Sequence, residues 1–117
     1  MVALFLLSSR SDLATLPGGI SDKTAHFAAY FVLSALALRA TSGGRWTGVT
    51  VRSAVGAFAV AATYGALDEL HQLMTPGRFA AIDDWVADAL GALSAIALGL
   101  VIAWIVRIAR GAGNRGV

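Results

Sequence analysis

The chain reads as an all-α integral membrane helical bundle: three full transmembrane helices plus a short N-terminal helix remnant. Three observations predict this. Of 117 residues, 57% are hydrophobic and only 14% are charged, with a mean hydropathy of +0.72, whereas soluble domains carry about 25% charged residues. Long apolar runs alternate with short polar joints. The charges gather at the ends of those runs. Cysteine is absent, which excludes a disulfide framework and a thiolate metal site. The net charge of +2 comes from basic residues beside apolar runs, not from a basic stripe, so nucleic acid is not an expected partner.

The elements follow in order within one domain, residues 1–117. Met1 to Leu7 is apolar but rises only about 10 Å, against about 30 Å of hydrocarbon. It cannot span, and it lacks the charged n-region and small-residue cleavage site of a signal peptide. Residues 1–9 are therefore read as the remnant of a first helix, cut by a misplaced start codon or genuinely short. The second segment, residues 24–40, is opened by Ser21 or Asp22 as N-cap after the Pro17-Gly18-Gly19 turn. The third, residues 51–74, is stopped by Pro76-Gly77. The fourth, residues 83–108, is opened by Asp83 or Asp84 and runs into a Gly-rich cytoplasmic tail, residues 109–117.

Hairpin connectivity dictates which helix ends meet. The start of the second segment, the end of the third and the start of the fourth share one side of the bilayer. All seven acids fall there (Asp12, Asp22, Asp68, Glu69, Asp83, Asp84 and Asp88), with Arg10, Lys23, Arg78, His26 and His71. The other side carries Arg39, Arg45, Arg52, Arg107, Arg110 and Arg115 and no acid. That bias places the second side in the cytoplasm and turns the acidic face outward. Trp46 and Trp104 near one boundary and Trp85 near the other suit interfacial belts.

Helical phasing sorts the polar residues into stripes. Lys23, His26 and Tyr30 lie within an arc of about 60° on the second segment. Tyr64, Asp68, His71 and Gln72 fall within about 100° on the third, with Glu69 at the edge. Asp84, Asp88, Gly91, Ala95 and Gly99 share about 80° on the fourth, where small residues let backbones approach and carry the two carboxylates into the bundle. Ionisable groups at shallow depth need partners or water, and these supply them to one another, with each imidazole held in one tautomer by a carboxylate.

Bland readings stand beside these. Lys23 alone suits a snorkelling anchor, Asp22 and Asp83 suit N-caps, Tyr30 and Tyr64 suit packing aromatics, and Glu69 suits a solvated rim. His26, Asp68, His71, Arg78, Asp84 and Asp88 admit both a structural network pinning three helices and a working pocket. Carboxylates with histidines also allow a metal, but no recognised ligand spacing is present, so neither a metal nor another cofactor is assigned.

Three ordered stretches resemble the VanZ-like family: Ser21-Asp22-Lys23-Thr24-Ala25-His26-Phe27-Ala28-Ala29-Tyr30-Phe31, then Asp68-Glu69-Leu70-His71-Gln72, then Pro76-Gly77-Arg78 with Asp84 and Gly91. The resemblance covers residues 21 to 99 or so. It implies a bundle of about four helices in the bacterial cytoplasmic (inner) membrane, related to teicoplanin resistance, and it carries a proposal of action on phosphate-linked headgroups of lipids or lipid carriers. By position it carries over Lys23, His26, Tyr30, Asp68, Glu69, His71, Gln72, Arg78 and Asp84. Asp88 stands where many members have Asn.

Two functions follow as expectations. In the enzymatic one, a headgroup phosphotransfer or hydrolysis, Arg78 and Lys23 clamp phosphate. His26 or His71 then acts as nucleophile or general base, oriented by Asp68, Glu69 or Asp84, while Tyr30, Gln72 and Asp88 contact substrate. In the other, the pocket only recognises a lipid carrier, a cell-wall intermediate or a partner protein. A proton or ion pathway is disfavoured because the polar residues stop near one face. The partners are membrane lipids or lipid-linked envelope intermediates, and the short first helix makes a homo-oligomer plausible.

Overall fold

The computed structural model describes residues 22–74 and 82–113. The helix remnant at 1–9, the turn at Pro17, the Ser21 cap, the Pro76-Gly77 stop and Arg78 lie outside the described residues. Three helices make up the described fold: α1, Asp22–Thr41; α2, Val51–Leu73; and α3, Ile82–Gly113. A short 3-10 turn, Trp46–Gly48, joins α1 to α2, and no strand occurs among the described residues.

Local chemistry explains each boundary. Gly43 and Gly44 take positive φ values of 65° and 74°, a conformation other residues rarely tolerate. Their N–H groups donate to the carbonyls of Ala40 and Arg39 and close the end of α1. Thr50 then opens α2 with a capping box: its hydroxyl accepts from the Ser53 N–H, and the Ser53 hydroxyl oxygen accepts from the Thr50 N–H at 2.7 Å.

The start of α3 departs from the expected caps. The helix begins at Ile82, so Asp83 and Asp84 sit inside its first turn. There they complement the positive end of the helix dipole without capping it. At the far end α3 continues past residue 108 to Gly113. No proline interrupts the ladder there, and Arg107 and Arg110 favour a helix C-terminus.

Matched contacts show how the helices run. Lys23 meets Asp83, His26 meets Asp88, Phe27 lies against Gly91 and Leu38 lies against Gly99, so α1 and α3 advance in parallel. α2 returns between them: Thr41 at the end of α1 donates to the Ser53 carbonyl near the start of α2. Ala54, Ala57, Ala61 and Gly65 line its buried face.

The core is built of small residues, and the large ones face outward. Among the described residues, seven of the eleven buried apolar ones are Ala, at 54, 57, 61, 87, 92, 95 and 103. Val32, Leu36, Val55, Leu67, Leu90, Val101 and Ile105 are each more than half exposed. A β-carbon at Gly91 would stand 2.2 Å from the Phe27 carbonyl oxygen, so α1 and α3 touch backbone to backbone there. Small residues at the seam and bulky ones outside are the pattern of helices packed in lipid.

By length and hydropathy, however, α3 is the one described helix able to cross a membrane, not three as expected. Its 32 residues rise about 48 Å, well beyond the hydrocarbon thickness. The other two fall short for a physical reason. α1 spends its first turns on Lys23 and His26, and α2 spends its last turns on Asp68, Glu69, His71 and Gln72.

Candidate functional site

The polar stripes meet where the start of α1, the end of α2 and the start of α3 come together. His26 sits one turn into α1 on its buried stripe, above Tyr30, Ser34 and Leu38. Its Nδ1 lies 2.9 Å from Asp88 Oδ1, and both side chains are more than nine-tenths buried. Asp88, expected to contact substrate, is thus a carboxylate that holds the imidazole. The reason is register: α1 and α3 run in parallel, and Asp88 lies one turn below Asp84, at the depth of His26.

α2 contributes the next layer. Gln72, almost fully buried, donates from Nε2 to Asp68 Oδ2 at 3.3 Å, an i, i+4 pair on one face. Glu69 is half-buried, within electrostatic reach of Asp84, Asp88, Asp68 and His26. Three buried oxygens here lack a hydrogen-bond partner among the described residues: Asp88 Oδ2, Glu69 Oε1 and Gln72 Oε1. Buried acceptors left open in this way cost free energy and mark a place where a donor is wanted.

The remaining expected residues divide by position. Tyr30 is buried against Ala61 and Ala92, directly below the imidazole. Asp84 is buried beside the pair. His71 is half-buried in the last turn of α2. Lys23 lies at the exposed rim, its Nζ 2.6 Å from Asp83 Oδ2. That hydrogen bond raises the Lys23 ammonium above its usual pKa; Lys23 stands at the start of α1, outside its apolar stretch. Asp83 is thus a charge partner, not the cap it was expected to be.

Two positions outside the expected set shape the site. A β-carbon at Gly65 would meet Asp88 Oδ2, the Tyr30 ring and Trp85 at 3.6–3.7 Å, so this glycine brings α2 close over the buried carboxylate. Trp85, half exposed, forms the outer wall. The four-residue spacing of Ala57, Ala61 and Gly65 is the signal that would have found the first; the sequence marks the second only as a belt residue.

Chemically, the pair suits proton transfer. An imidazole whose Nδ1 is held by a carboxylate can act through its other nitrogen as base or nucleophile, and the carboxylate steadies the imidazolium when it forms. No cluster of three or more His, Cys, Asp or Glu side chains among the described residues has metal-holding geometry.

A family model described as VanZ/LLP1 matches residues 3–107, nearly the whole chain. No curated protein and no solved structure matches it.

Proposed function

We propose that this chain, which belongs to the VanZ/LLP1 family, works as a multi-pass membrane protein whose outward-facing polar pocket binds and modifies a phosphate-linked headgroup. Family membership and the apolar α3 point to a membrane protein. The link to glycopeptide resistance belongs to the family. The bulky apolar residues exposed along all three helices support the finer reading that α1 and α2 also lie in lipid, with their polar ends in the headgroup region.

The observation that carries the chemical reading is the buried His26–Asp88 pair. In this reading Asp88 fixes the imidazole, and His26 takes a proton from a water whose oxygen attacks the headgroup phosphorus; the P–O bond to the leaving alcohol breaks, and the imidazolium returns the proton to that oxygen. Gln72, Glu69 and Asp84 supply acceptors for headgroup hydroxyl or amine donors. Lys23, at the rim, meets the outer oxygens of the phosphate, a role the sequence also assigns to Arg78, which lies outside the described residues. A second reading, recognition without turnover, is favoured by one feature: Lys23 is already engaged by Asp83, leaving the rim less cationic.

Lipid mass spectrometry of cells with and without the protein separates the two. Turnover predicts a changed headgroup population that disappears in His26→Gln, a variant whose amide still reaches Asp88. His71→Ala tests the second histidine in the same assay. Unchanged lipids under good expression of wild type, with the headgroup still retained on the purified protein, would establish recognition instead.

A further inference from the structure

The opposite end of the bundle carries a feature that the pocket above does not use. Arg39, in the last turn of α1, is half-buried, and its guanidinium carbon stands 4.8 Å from the centre of the Trp46 ring. Its Nη1 is buried with no hydrogen-bond partner among the described residues. Every described acid lies at the far end of the helices, so no described carboxylate on this face balances the charge. A partly desolvated cation with an open donor is costly unless an anion arrives from outside.

Beside it lies a place for the rest of such a ligand. A groove of about 290 Å³ runs between α1 and α3, walled by Phe31, Leu36, Leu98 and Ile102 with Arg39 and Trp46 at its end. It opens on the outer surface of the bundle, and Gly99 holds its floor close against Leu38. An apolar trough ending in a guanidinium and an indole matches an acyl chain joined to a phosphate. Basic pockets between membrane helices on the positive side favour anionic lipids.

We propose that this groove seats an anionic phospholipid of the leaflet at the basic end of the bundle, its phosphate accepting from the part of the Arg39 guanidinium that lines the groove and one acyl chain lying along Phe31, Leu98 and Ile102. The site rests on the membrane placement proposed above but not on any chemistry at His26.

The test is thermal denaturation of detergent-purified protein with added phosphatidylglycerol, with phosphatidylcholine of the same acyl chains, or with inorganic phosphate. Phosphatidylglycerol raises Tm by about 4 °C or more, and the other two do not. Arg39→Gln weakens the lipid response at least about tenfold, the loss expected for a charge-assisted hydrogen bond. Arg110→Gln, at an exposed arginine on the same side, leaves it intact. Ala35→Trp, which fills the groove without touching the charge, abolishes it and decides the matter if Arg39→Gln does not fold. Equal stabilisation by both lipids, or by inorganic phosphate, would overturn the site. Alkaline extraction of membranes tests the placement separately: release of wild type into the soluble fraction would overturn both proposals, whereas retention without lipid selectivity would overturn only this one.

Discussion

The two ends of the bundle use the same three helices in opposite ways. At the acidic end, His26, Gln72, Asp84 and Asp88 are buried in a layer with three unsatisfied oxygens. Toward the basic end, Leu38, Val49, Ala54, Ala57, Ile96 and Ala103 make a dry cluster. There Arg107 donates to the carbonyls of Thr47 and Val49, tying α3 to the α1–α2 joint. The difference teaches a division of labour. Apolar packing and backbone hydrogen bonds hold one end, so the other can keep polar groups buried at a cost that stability alone would not select.

The seam joining the two ends should be the most sensitive point. Gly91→Ala forces a β-carbon against the Phe27 carbonyl and the Phe31 amide, neither of which can swing aside as a side-chain tip would. We expect a loss of about 3 kcal/mol, at the upper end for overpacking, read as a lower Tm and a broadened size-exclusion peak. A wild-type melting curve would break the claim that α1 and α3 touch there.

Next in size is the polar layer. His26→Ala leaves Asp88 buried with neither oxygen bonded to an imidazole, and should cost about 2 kcal/mol, since the carboxyl group escapes part of the penalty by taking a proton. His26→Gln or Asp88→Asn should recover most of it. If His26→Ala melts like wild type, the acidic end is more hydrated than its burial implies, and the contrast between the ends weakens.

Smaller still is the joint. Thr50→Ala removes the capping box and should lower stability by about 1 kcal/mol, measured by the same melt. The smallest effect belongs to the rim: Lys23→Gln should leave Tm unchanged, because the Lys23–Asp83 pair is exposed to solvent and screened. A clear drop at Lys23 would show that the rim is part of the rigid framework.

Much of this contrast can be read from residue order. Connectivity brings the three polar helix ends together whatever the packing, and the spacing of Asp84, Asp88, Gly91, Ala95 and Gly99 names a face of α3 that is buried at all five positions. Helix starts were harder. Asp83 has the chemistry of a cap, yet a cap depends on one residue's backbone angles, and the helix begins one residue earlier. The spans are legible only in part: Lys23, His26 and the Asp68–Gln72 stretch shorten the apolar parts of α1 and α2, so among the described helices α3 alone is long and apolar enough to cross by itself.

What the amino-acid order determined by itself is the all-helical class, the sorting of charge to opposite ends and the stripe on which each polar side chain lies, since all three follow from local periodicity and chain direction. The tertiary structure alone decided that Asp88 is the partner of His26, that Gly65 makes room beside it and that Arg39 is left with an open donor. Each of those depends on the relative depth of two helices. Depth is set by backbone contact at Gly91 and by the Leu38 side chain seated on Gly99, a matter of ångströms between segments that no pattern within one segment encodes.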